Sequence, residues 1–138
     1  MKKITFILSL LFVTCTLSAE VVYLTTNEFK SKVFDYIGQK EWNYVGDKPC
    51  IIDFYTTWCG PCKRLAPIME ELSEQYKGQV YFYKVDTEKE RELAAKFNIH
   101  SIPTIIFCPK GNRPQMTQGL LPKETLEKAI DEILLNKK

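Results

Sequence analysis

The sequence predicts an α/β fold, a central mixed β-sheet flanked by helices on both faces. Three observations carry this. Apolar runs of strand length alternate with segments of helical period in the order strand, helix, strand, helix, strand, then helix, hairpin and helix. A Cys59-Gly60-Pro61-Cys62 stretch falls where one apolar run gives way to a helical segment. A proline, Pro103, stands directly before the apolar run Thr104 to Cys108, at a strand start, where proline is tolerated.

The chain opens with Met1-Lys2-Lys3, continues through an apolar run from Ile4 to Val13, and reaches a small-residue region from Thr14 to Ala19. A basic start, a short apolar core and a small residue at the cut make the layout of a secretory signal peptide. Residues 1–19 are therefore expected to be a cleaved signal peptide, and residues 20–138 the mature domain. The apolar run is shorter than the roughly 20 residues of a membrane-spanning helix. A rival reading is lipid anchoring at Cys15, since Val13-Thr14-Cys15 weakly resembles a bacterial lipoprotein box, although Thr14 is bulky for its place. Both readings put the protein outside the cytoplasm, in the periplasm or otherwise exported.

Losing Lys2 and Lys3 from the 19 basic residues leaves 17 against 17 acidic ones, so the mature chain is near neutral and offers no nucleic-acid face. About 119 residues suit one compact domain, expected to be a monomer. Its four remaining cysteines are too sparse for a disulfide-stapled mini-domain. An exported chain with an exposed CxxC is expected instead to handle the disulfides of other proteins.

Val21 to Leu24 reads as a short strand, and Thr25-Thr26-Asn27 offers capping side chains for a helix from Glu28 to Tyr36, closed by Gly38. Gln39 to Pro49 is polar and turn-rich, a surface loop with Trp42 or Tyr44 pinned to the body. Cys50 to Tyr55 is a continuous apolar run, as a central parallel strand requires. Asp53 in its middle is the anomaly. A buried carboxylate without a partner costs several kcal/mol, so its pKa should rise and it should find a partner.

Two cysteines with two residues between them can serve as a redox pair or as half of a metal site. Placement favours redox. A helix beginning at Cys59 aims its free N–H groups and the positive end of its dipole at that sulfur, which stabilises the thiolate. Pro61 falls in the first turn, where a missing N–H costs nothing, and Cys62 lies within reach of Cys59. Zinc would need a second pair of ligands at comparable spacing, whereas Cys50, Cys108 and His100 are scattered. The helix after the motif carries Leu65, Ile68, Met69, Leu72 and Tyr76 on one face, with Pro67 expected to kink it and Lys77-Gly78 to end it.

Val80 to Val85 is an alternating strand. Lys84 on it, taken by itself, reads as a solvated lysine near a strand end. Asp86 to Glu92 reads as a turn and the exposed side of a helix that buries Leu93, Ala94 and Phe97. His100 is expected to be exposed. Pro109 to Asn112 makes a hairpin turn, Arg113 to Gln118 the returning edge strand, and Gly119 is expected to allow a close approach. The last helix starts at Leu121-Pro122-Lys123 and buries Leu126, Ala129, Ile130, Ile133 and Leu134. Cys50 and Cys108 read as small buried apolar residues.

Asp53-Phe54, Trp58-Cys59-Gly60-Pro61-Cys62-Lys63, Pro67, Ile102-Pro103-Thr104 and Gly119 stand in the order, and near the spacing, of the thioredoxin family, which the chain resembles from about Glu20 to its end. The resemblance implies the thioredoxin fold and a cis Ile102-Pro103 bond facing the motif, whose backbone pairs with a bound substrate strand. It implies that Asp53 lies beneath Cys62 and helps to move its proton, with Lys84 as the partner of that aspartate. It sets the strands of Cys50 and Cys108 side by side and antiparallel, so that a bridge between them is an open alternative. Serine at Ser101, often glycine in the family, is a small departure.

The function expected is a protein-disulfide reductase acting on exported proteins by thiol–disulfide exchange. Cys59 attacks, Cys62 resolves, Asp53 and Lys84 assist, and Trp58, Gly60, Pro61, Ile102, Pro103 and Gly119 form the substrate rim. No metal or organic cofactor is required. Gly60-Pro61 between the cysteines resembles the reducing members of the family, and an exported reductant needs a membrane electron donor to recharge it. The alternatives are a net oxidase or isomerase of exported proteins, and a non-catalytic binding subunit that uses the fold as a clamp.

Overall fold

The computed structural model describes residues 20–137. The expected signal peptide, with Cys15, lies outside these residues. Five strands form one sheet: β1 Val21–Tyr23, β2 Cys50–Tyr55, β3 Tyr81–Asp86, β4 Thr104–Cys108 and β5 Gln115–Gln118. Their spatial order is β1-β3-β2-β4-β5. The first three are parallel, β4 runs against β2, and β5 returns against β4 as a hairpin. The chain is thus a mixed sheet with helices on both faces, the thioredoxin fold. β2 lies in the middle of the sheet, which explains its unbroken apolar sequence.

Side-chain alternation along the strands divides the core in two. Ile51, Phe82, Ile105 and Phe107 face helix α2 (Gly60–Gln75) and helix α4 (Lys123–Ala129), meeting Leu65, Met69, Leu72 and Leu126. Cys50, Ile52, Phe54, Tyr83 and Ile106 face α1 (Thr26–Lys32) and α3 (Arg91–Lys96), meeting Phe29 and Leu93.

Helix α1 starts where its caps predict. Thr25 and Glu28 form a capping box, each side chain bonding the other's backbone N–H. Its end differs from expectation, at Lys32 rather than Tyr36. Val33, Phe34 and Tyr36 are all buried, and the Asp35 carboxylate accepts the N–H groups of Ile37 and Gly38 in a turn that takes the chain out of the helix. The Gln39–Pro49 loop is pinned as expected: Trp42 packs on Phe34 at 4.9 Å between ring centroids, and Tyr44 donates to the Lys48 carbonyl. Helix α2 runs through Pro67 without a break in its span and ends before Gly78, whose φ is +77°. The last helix continues from Ala129 into a π-helical turn, Ile130–Leu134, while Leu126, Ile130 and Leu134 stay buried.

Candidate active site

The site forms where β2 ends and α2 begins. Cys59 is the N-cap of α2, with extended backbone angles, and Pro61 occupies the first turn. Cys59 Sγ accepts the Cys62 N–H at 3.2 Å, so the sulfur holds the position that a serine or aspartate oxygen takes at other helix starts. Here Cys59 and Cys62 are joined as a disulfide, with Cα atoms 5.2 Å apart. The expectation of an exposed pair needs correction: Cys59 keeps 5 % of its surface and Cys62 3 %. The sulfurs bond to each other, and the Ile102 carbonyl oxygen stands 3.9 Å from Cys59 Sγ. The exposed group is Trp58, at 65 %, whose indole N–H donates to Glu88 at 3.0 Å.

The Ile102-Pro103 bond is cis, and its loop faces the first cysteine. Gly119 donates its N–H to the Pro103 carbonyl at 2.8 Å. A Cβ at Gly119 would meet nothing within 4 Å, but φ is +89°, a conformation that side chains disfavour. Gly60 is exposed and has ordinary room, since a Cβ there would come no closer than 3.8 Å to Arg64.

Asp53 is fully buried on β2, and its register partner on β3 is Lys84. Lys84 Nζ lies 3.4 Å from Asp53 Oδ2, so the open question about this lysine resolves to the paired form. Among the described residues, neither Asp53 oxygen has a hydrogen-bond partner. Burial pushes the Asp53 carboxyl up to about 6, and the Lys84 charge offsets only part of that rise. Asp53 sits two residues from Ile51, hence on the face that α2 covers, with Cys62 in the first turn of that helix.

Two tyrosines escaped the sequence reading. Lys84 Nζ lies 4.3 Å from the Tyr55 ring centroid and 5.8 Å from that of Tyr23. Tyr55 shares the face of Asp53 by alternation, a signal present in the sequence, whereas Tyr23 reaches the group through the β1–β3 register alone. Burial raises the Tyr55 phenol to about 12, so it stays neutral. His100 is exposed, as expected. Among the described residues, no three His, Cys, Asp or Glu side chains gather where they could hold a metal ion.

The thioredoxin family profile matches residues 20–132. The chain is 46 % identical over 111 residues to a thioredoxin of Borreliella burgdorferi, covering 80 % of this chain and 95 % of that one. It is 33 % identical over 111 residues to thioredoxin 1 of a Nostoc species, covering 80 % and 94 %. Against a chloroplastic M-type thioredoxin of Spinacia oleracea identity is 39 % over 95 residues, 69 % of this chain and about half (52 %) of that relative's length. Among solved structures, chloroplastic thioredoxin z superposes with a TM-score of 0.71 at 28 % identity, covering 83 % of this chain and 94 % of that one. With a cysteine pair capping a helix opposite a cis-proline loop, the chain belongs to the thioredoxin family of protein-disulfide reductases.

Proposed function

We propose that this protein reduces disulfides of exported proteins, with Cys59 as nucleophile and Cys62 as resolving thiol. The observation that carries the reading is the N-cap position of Cys59. Its sulfur accepts a backbone N–H at the positive end of a 16-residue helix, an environment that favours thiolate over thiol. With the pair reduced, the Cys59 thiolate attacks one sulfur of a substrate disulfide, and the other substrate sulfur leaves as a thiolate and takes up a proton. Cys62 then passes its proton to Asp53 through water and attacks Cys59 Sγ. The second substrate sulfur departs, and the Cys59–Cys62 disulfide holds the two electrons' worth of oxidation that the substrate has lost.

Asp53 suits this task because its carboxyl, raised to about 6, is mostly ionised at pH 7 yet basic enough to hold a proton. Lys84 beside it keeps the charged form accessible. Trp58, Gly60, Pro61, Gly119 and the Ile102-Pro103 backbone form the rim that receives an extended substrate. Pro103's carbonyl is already taken by Gly119, so the backbone offered to substrate is that of Ile102.

The N-terminal layout, Met1-Lys2-Lys3 and the apolar run to Val13, supports the export reading, and an exported reductant needs a membrane donor because cytosolic reductases cannot reach it. The test of direction is the Cys59–Cys62 reduction potential, by equilibration in graded dithiothreitol or glutathione buffers. A value well below the glutathione poise is the expected result. A value near or above it would make the protein an oxidase or isomerase. Mass analysis of the N-terminus of the protein from cells tests export: Glu20 first is the expected result, a lipid on Cys15 would mean export with an anchor, and an uncleaved Met1 is the contrary result.

A further inference from the structure

Lys84 keeps 4 % of its surface, although only the three-residue strand β1 separates β3 from the edge of the sheet. What covers it is aromatic. The registers align Tyr23 of β1, Lys84 of β3 and Asp53 of β2 in one row. Alternation puts all three on the face of Val21, Phe82 and Ile51, and puts Tyr55 there too. Tyr23 and Tyr55 meet edge to face, with ring centroids 6.0 Å apart. Both rings lie within cation–π range of the same ammonium, and the attraction is strongest where water is excluded. Tyr23 is itself 60 % exposed, an aromatic ring standing at the surface with a buried lysine behind it.

We propose that Tyr23 and Tyr55 are positioning residues, whose rings form a wall that holds the Lys84 ammonium against Asp53, with Tyr23 as its outer panel. The inference deepens the proposed mechanism and rests on its reading of Asp53 as proton acceptor. A lysine is a strongly hydrated point charge on a flexible stem, and it reaches for water wherever a path opens. Without the outer ring, Lys84 turns past the short edge strand into solvent. Asp53, which stays buried, then loses the Lys84 charge beside it and holds its proton more tightly. Other charges on this side are met by the wall, by solvent or by partners of their own. Asp86 acts on Tyr55. On α2, Lys63, Arg64 and Glu70 are exposed, and Lys123 of α4 is engaged by Glu71 and Glu127.

The test is a carbon-13 carboxyl titration of Asp53 in the reduced full-length protein, run beside the pH–rate profile for reduction of oxidised glutathione. In Tyr23→Ala the Asp53 midpoint should rise by about half a unit to one unit, and the acid limb of the rate profile should move with it. Tyr23→Phe keeps the ring and should leave both in place. The proposal is overturned if the Tyr23→Ala titration superimposes on the parent's, or if Tyr23→Phe shifts it equally. Asp53→Asn separates the two layers. If it leaves the acid limb unchanged, the proton-acceptor reading fails, while the titration of Asp53 in Tyr23→Ala still decides the positioning role.

Discussion

Cys59 and Cys62 stand three residues apart just beyond the C-terminal end of β2, while Cys50 at its other end faces Cys108 directly across the β2–β4 pairing. All four are buried, and the residue type is the same. The difference is in what surrounds the sulfur. Cys59 caps a helix and accepts an N–H, whereas Cys50 and Cys108 lie among Ile52, Phe54 and Ile106. Burial pushes the Cys108 thiol up, and the neighbouring Cys50 thiol adds to the rise. Proximity of two thiols therefore does not make a redox pair. One member must be stabilised as thiolate and have a route to substrate, and the core pair has neither.

Substitution should divide the pairs most sharply. Cys59→Ser should lower disulfide reduction by roughly 1000-fold or more, because no other group replaces the nucleophile. Cys108→Val should leave turnover within about twofold, since the mechanism does not use that thiol. Loss of activity in Cys108→Val, in a variant that still folds, would break the distinction.

Alkylation of the reduced protein near neutral pH is the next test. Cys59 should react with iodoacetamide at least about 100-fold faster than Cys50 or Cys108, whose exposure needs opening of the central sheet. Peptide mapping after timed quenching measures the ratio, and labelling of all four cysteines at one rate would be the contrary finding.

Stability should respond to the buried charge beside the motif rather than to the motif itself. The Asp53 carboxyl rises from 3.8 to about 6 on folding, so the native state holds a proton that the unfolded chain releases in that window. Stability contributed by this group is therefore lost as pH rises from about 4 to about 6, a cost of about 3 kcal/mol above it. Asp53→Asn should raise unfolding free energy by up to that amount at pH 7 and by little at pH 4. Urea unfolding at the two pH values checks it.

The smallest effect belongs to packing. Cys50→Val and Cys108→Val conserve shape and apolarity closely enough to cost under about 1.5 kcal/mol each. Cys108→Ser places a hydroxyl in an apolar core and should cost more, about 1–3 kcal/mol. Thermal unfolding of the three variants ranks them.

Much of this was legible in the sequence because the decisive signals are local. The capping box at Thr25 and Glu28, the apolar strand of Cys50 to Tyr55, and the start of α2 at Cys59 each depend on neighbours a few residues away. Asp53 announced itself as a charge inside an apolar run. What escaped depends on long-range register or on competing turns. Tyr23 meets Lys84 through pairing across 61 positions of chain, which no local pattern encodes. The sequence predicts too long a helix α1 because Phe29, Val33 and Tyr36 mimic helical spacing, while the Asp35 turn redirects the chain. Gly119 stands out in the sequence as a glycine beside the cleft, and the structure adds a φ of +89°, which favours glycine there.

The short outer strands of the sheet carry one more consequence. β1 has three residues, and β5 has four, entered from Pro114 and largely polar. Long flat edges are where unfolded chains add as extra strands and begin to aggregate. A protein that acts on the disulfides of other proteins meets foreign chains at every turnover. Edges this short leave a passing chain few backbone groups to pair with, so the sheet itself is a poor template for a further strand.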